Sequence, residues 1–129
     1  MTVELTILAY AALLQVIQFG LMSAALNMQL GLKVTAGPRD NPPEMYGIPG
    51  RLYRAFNNHF EGLILFTIAV VIVTLGQQST GTTQTCAYVY LAARVLYIPA
   101  YISGIIMLRS SIWFVGFGAT IVMIIAALT

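Results

Sequence analysis

The sequence predicts an all-α integral membrane protein whose four helices cross the bilayer. Three observations carry this. Hydrophobic residues make up 59% of the 129-residue chain and charged residues only 8%, against about a quarter in ordinary soluble domains. Long apolar blocks recur, the first running uncharged from Leu5 to Leu26 and matching the roughly 20 residues that a spanning helix needs. Between the blocks stand short polar segments rich in helix breakers. The length suits a single four-span membrane domain over residues 1–129, with no separate soluble module.

Helix 1 is expected over about 2–30. The chain opens Met1-Thr2-Val3-Glu4, which is acidic where a secretory leader is basic, so the first segment reads as a retained span. Gly31, Gly37-Pro38, Pro42-Pro43 and Pro49-Gly50 mark a polar loop. Helix 2 is expected over about 51–75 and helix 3 over about 85–108, joined by the uncharged turn 77–84. Arg109-Ser110-Ser111 would make a tight connection to helix 4, about 112–128. Pro99 should kink helix 3 near its tyrosines.

Lys33, Arg39, Arg51 and Arg54 cluster around the first loop and Arg109 marks the third. The positive-inside rule then places loops one and three in the cytoplasm and both termini outside. Short loops and the lack of a retention signal favour a bacterial inner membrane. A net charge of +2 with dispersed basic residues gives no nucleic-acid surface. The lone Cys86 forms no disulfide or thiolate cluster, and one histidine without an acidic cluster offers no metal site.

Two polar stripes carry the chemistry. Arg51, Arg54, Asn58 and Glu61 fall within about 80° of one another at 100° per residue. Arg94, Tyr97 and Tyr101 fall within about 60° on helix 3. The helices run antiparallel, so the stripes can face each other at similar depth. Arg94 lies roughly 22 Å from Arg109 along the helix at 1.5 Å per residue. A charge that deep needs a partner, and Glu61, the one acid expected inside a span, is the natural candidate. The bland alternatives are interfacial anchoring for Arg51, Arg54 and Arg109, a structural ion pair for Glu61 and Arg94, and packing for His59. As a ligand site, the stripe suits a small zwitterion with two carboxylates, an amine and a nucleophile. Arginine forks hold carboxylates bidentately and Glu61 can hold an ammonium. Glutathione is such a molecule.

At these residues the chain resembles the MAPEG family, the membrane-associated proteins in eicosanoid and glutathione metabolism. The helix 2 signature Arg-x-x-Arg-Ala-x-x-Asn-x-x-Glu stands here as Arg51, Arg54-Ala55, Asn58 and Glu61. The helix 3 pattern stands as Arg94, Tyr97 and Tyr101, followed by Arg109. The resemblance implies a homotrimer of four-helix protomers with glutathione sites between subunits, open toward the cytoplasm. It implies glutathione as cosubstrate, bound by Arg51, Arg54, Asn58, Glu61, Arg94, Tyr97 and Tyr101. Arg109 would be the catalytic residue, stabilising a thiolate that attacks or reduces a lipophilic substrate arriving through membrane lipid. Family enzymes often carry a glutamate before the first arginine and an aromatic after the motif's glutamate, where this chain has Gly50 and Gly62. Leukotriene-forming members use arginines at the end of helix 1, where Asn27, Gln29 and then Lys33 stand. Three functions compete: a glutathione transferase or peroxidase, a non-catalytic lipid-binding or scaffolding relative, and a small proton-coupled exporter. The last would need an intramembrane acid in helix 1, where none is expected.

Overall fold

The computed structural model describes residues 1–30 and 47–129. Lys33 and Arg39, used above for orientation, and most of the predicted first loop lie outside the described residues. Four α-helices fill the rest: α1 (Val3–Leu30), α2 (Gly47–Leu75), α3 (Gly81–Ser103) and α4 (Ile106–Leu128). Each is long and apolar enough to cross a membrane. The shortest have 23 residues, about 35 Å of helix against a hydrocarbon core of about 30 Å. The chain is an all-α four-helix membrane bundle.

The helices run up and down in sequence. α2 and α3 touch each other and both outer helices, whereas α1 and α4 share no contacts among the described residues. Small residues permit the close approach: Ala69, Ala87, Ala93, Ala100, Gly116 and Ala119 are all buried. Apolar interiors give no hydrophobic drive inside lipid, so tight van der Waals packing across such positions holds spanning helices together. At the centre, the Phe66 and Tyr90 rings stack 3.9 Å apart and 5° from parallel. Large apolar side chains such as Ile17, Ile64, Leu96 and Ile125 point outward, as lipid-facing residues do.

Four helix ends depart from the sequence expectation. α2 begins at Gly47 instead of 51 because Pro49 and Gly50 sit in its first turn. Proline is tolerated there, where its missing N–H is not needed. α3 begins at Gly81, four residues early, with Thr80 as N-cap and a reciprocal capping box to Thr83. The largest correction is the break between α3 and α4. It falls at Gly104, which takes a left-handed φ of 76°, and not at Arg109-Ser111. Glycine adopts that conformation without a Cβ clash and so ends helices. Arg109 therefore stands in the first turn of α4, not at the end of helix 3. α3 contains Pro99 and runs on to Ser103.

The first turn of α1 carries an acid inside the protein: Glu4 is fully buried. Its carboxylate accepts hydrogen bonds from the Ser79 hydroxyl at 2.8 Å and the Thr83 hydroxyl at 3.0 Å. This ties the start of α1 to the capped start of α3, where the helix dipole favours negative charge.

Candidate functional site

Residues of both polar stripes meet at the end of the bundle formed by the start of α2 and the α3–α4 turn. They bound a cavity of about 420 Å³. From α2 come Arg54, Asn57, Asn58 and Glu61, from α3 Tyr97 and Tyr101, and from α4 Arg109, Ser110, Trp113 and Phe114. Tyr101 organises the basic groups. Its ring lies 4.7 Å beneath the Arg109 guanidinium and 5.9 Å from that of Arg54, within cation–π range. Tyr97 and Tyr101 pack at 5.5 Å between centroids. Glu61 is exposed, and no ion pair or hydrogen bond engages its carboxylate among the described residues.

The expected pairing of Glu61 with Arg94 does not occur. Arg94 is buried and donates instead to Asn58 Oδ1 at 3.0 Å from Nη1 and to His59 Nδ1 at 3.2 Å from Nε. His59 is fully buried, and its Nε2 lies 3.0 Å from the Ala11 carbonyl of α1. Arginine can only donate, so Nδ1 must accept, and the tautomer with its proton on Nε2 satisfies both contacts. The guanidinium also lies 4.6 Å over the Tyr97 ring. Two neutral acceptors and a π face thus hold the deep cation, and the line from Ala11 through His59 to Arg94 braces three helices.

Arg51 also departs from expectation. It does not line the cavity. Its Nη1 donates to the Ile102 carbonyl at 2.7 Å, and a side chain at Gly104 would begin only 3.1 Å from its Nη2. Because α3 ends at Ser103, its last carbonyls lack helical donors, and Arg51 supplies one. The structure thus gathers Arg54, Asn58, Glu61, Tyr97, Tyr101 and Arg109 around one cavity and diverts Arg51. Arg94 lines a smaller chamber beneath, shared with Asn58, Glu61 and Trp113.

Sequence reasoning missed Asn57, Ser110, Trp113 and Phe114. For the three on α4 the signal was Gly104. Once the break is placed there, Arg109 and Trp113 stand four apart on one face of α4.

Such a bundle, with a charged cavity opening among its spanning helices, is that of a polytopic membrane protein with a candidate site for a polar ligand. The MAPEG family model matches residues 7–129, and the chain belongs to that family. It is therefore an integral membrane protein of the glutathione- and eicosanoid-metabolism type. The family is associated with glutathione, its members are oligomeric, and no metal-holding cluster exists among the described residues. Among curated proteins, none matches the chain.

Proposed function

We propose that the protein is a glutathione-dependent transferase or peroxidase acting on lipophilic electrophiles. The observation that carries this reading is the composition of one cavity. Two guanidiniums, two amides, two phenols and an uncommitted carboxylate converge within about 420 Å³. Glutathione carries two carboxylates, one ammonium and a thiol; Arg54 answers its carboxylates, Glu61 its ammonium, and Arg109 faces the sulfur. Arg51 and Arg94 contribute by fixing the frame: one closes the end of α3 and the other anchors Asn58.

Arg109 stabilises the thiolate. In the transferase reading the thiolate sulfur bonds an electrophilic carbon and displaces its leaving group. In the peroxidase reading two glutathione thiols reduce a hydroperoxide to alcohol and water and leave as the disulfide. The hydrophobic substrate enters laterally, past the exposed aromatic ring of Phe114 at the cavity wall. The family's oligomeric habit supports a homotrimer in which neighbouring subunits close the cavity mouth.

The test is calorimetric titration of the detergent-purified protein with glutathione, followed by ultraviolet thiolate absorbance. Saturable binding with thiolate formation near neutral pH is expected, and no binding overturns the reading. Binding without thiolate would establish the non-catalytic relative instead, an outcome favoured by the lack of arginine at Asn27 and Gln29.

We also propose that both termini lie outside the cytoplasm, in a bacterial inner membrane. Arg51, Arg54 and Arg109 share one end of the bundle, as the Arg51–Ile102 contact fixes, which supports that end as cytoplasmic. A carboxy-terminal reporter active only in the cytoplasm should stay silent. Strong signal after Thr129 would reverse the orientation.

A further inference from the structure

Beneath the cavity described above, a second chamber of about 140 Å³ lies between α2, α3 and α4. The two adjoin, sharing Asn58, Glu61 and Trp113 as wall residues. Two glycines leave its space open, Gly62 on α2 and Gly116 on α4. A Cβ at Gly62 would stand 3.5 Å from the Tyr90 hydroxyl, and one at Gly116 3.8 Å from Tyr90 Cδ2. Neither contact is a clash, so the glycines free volume that ordinary side chains would fill. Leu65, Trp113 and Phe117 supply apolar wall, the last two with rings stacked at 4.9 Å and 11° from parallel.

The chamber carries no net charge, because Glu61 and Arg94 both line it. Other polar wall groups are engaged within the protein. Arg94 donates to Asn58 and His59, and the Thr120 hydroxyl donates to the Gly116 carbonyl at 3.0 Å. What remains for a guest to touch is mostly carbon, much of it aromatic. An ion would lose its hydration there without gaining partners, whereas a neutral apolar body loses nothing. Size narrows the class further. A dry apolar cavity of about 150 Å³ holds one benzene, and walls of Tyr90, Trp113 and Phe117 favour a guest that is itself aromatic.

We propose that this chamber holds one uncharged six-membered aromatic ring, the head group of the electrophile, whose reactive carbon stays at the wall shared with the outer cavity. Gly62 and Gly116 then set the size of substrate accepted, and a fused second ring does not fit. Assigning the ring to an electrophile rests on the glutathione reading; occupancy of the chamber by a ring does not.

Two arms of one experiment keep these readings apart. Without glutathione, nitrobenzene is titrated into the detergent-purified protein while the fluorescence of Trp113, the single tryptophan, is followed. Nitroarenes quench indole on contact, so a saturable component that benzene displaces is expected. 1-Nitronaphthalene should give only the linear quenching of a micelle-bound tryptophan ester. With glutathione, benzyl chloride is compared with 1-(chloromethyl)naphthalene, each rate divided by that with glutathione alone. The thiolate sulfur bonds the benzylic carbon, and chloride leaves with the electron pair of the broken bond. The single ring should be favoured in kcat/KM by about tenfold or more, as even one added methylene is discriminated in a tight apolar pocket. Gly62→Ala, whose methyl meets no atom closer than 3.5 Å, should fold and keep its glutathione affinity while losing about tenfold in nitrobenzene affinity and in kcat/KM for benzyl chloride. Linear nitrobenzene quenching in the unaltered protein would overturn the proposal. So would quenching and rates indifferent to ring number, or a saturable component that Gly62→Ala leaves unchanged. Saturable quenching without any conjugation would uphold the ring site and overturn the glutathione reading alone.

Discussion

Arg109→Ala separates an enzyme from a binder, because it removes one charge without touching the groups proposed to hold the ligand. Arg109 is half-buried at the cavity wall with its guanidinium over Tyr101. Opposite unit charges about 4 Å apart near a protein surface interact by about 4 kcal/mol at an effective dielectric of 20. The open mouth of the cavity reduces this, and about 2.7 kcal/mol, two pKa units, is a reasonable share. A thiol that ordinarily titrates at about 8.5 would then titrate near 6.5, so about three-quarters is thiolate at pH 7. In Arg109→Ala the fraction falls to about 3%. The sign follows from the charge: a cation favours the ionised thiol, so its loss moves the titration upward and lost thiolate returns only as pH rises past about 8.5. The assay is the ultraviolet difference spectrum on adding glutathione between pH 5 and 9, with S-methylglutathione as blank. Arg109→Lys should fall between, because a point charge cannot reproduce the planar stack on Tyr101. An unchanged thiolate titration in Arg109→Ala, with glutathione still bound, would refute the role and leave Arg109 an interfacial anchor.

Three further substitutions test the frame. Glu61→Gln should weaken glutathione binding about tenfold by calorimetry, about 1.4 kcal/mol, with no change in thermal midpoint because the carboxylate is exposed and unbonded. His59→Phe should destabilise the protein by about 2–3 kcal/mol in mixed-micelle unfolding, since it strands the Ala11 carbonyl and Arg94 Nε; an unaltered midpoint would remove the three-helix brace. Arg51→Ala should lower stability by about 1–2 kcal/mol while changing glutathione affinity less than threefold, because its guanidinium serves the Ile102 carbonyl.

The span count and most of the cavity were legible in the sequence, for physical reasons. Composition alone demands a bilayer, and helical spacing puts Arg54, Asn58 and Glu61 on one face whatever they touch. The failures lie where geometry depends on a single residue. Gly104 falls inside the span expected over about 85–108, where apolar Ile105 to Leu108 follow it, yet one left-handed glycine ends α3 at Ser103. That shift moved Arg109 to α4, brought Trp113 into the cavity, and exposed the Ile102 carbonyl that draws Arg51 away. The partner of Arg94 was misread by a different logic. Opposite charge points to Glu61, but Arg94 donates instead to Asn58 and His59, three and two residues before Glu61 on α2, and His59 lies off the stripe. Periodicity cannot register a contact that depends on the rotation of a third helix.

The brace through His59 also bears on how the chain enters the membrane. α3 is the least apolar span, with a mean hydropathy of 1.3 against 1.8, 1.8 and 2.2 for the others. An arginine near a helix centre adds about 2.5–3.5 kcal/mol to the work of leaving the insertion machinery for lipid. The acceptors of Arg94, Asn58 and His59, belong to α2, which emerges from the ribosome first, and His59 is itself held by the Ala11 carbonyl of α1 before it. Each stage of synthesis therefore supplies the solvation the next span lacks, and α3 leaves for the bilayer as cargo of a hairpin already waiting for it.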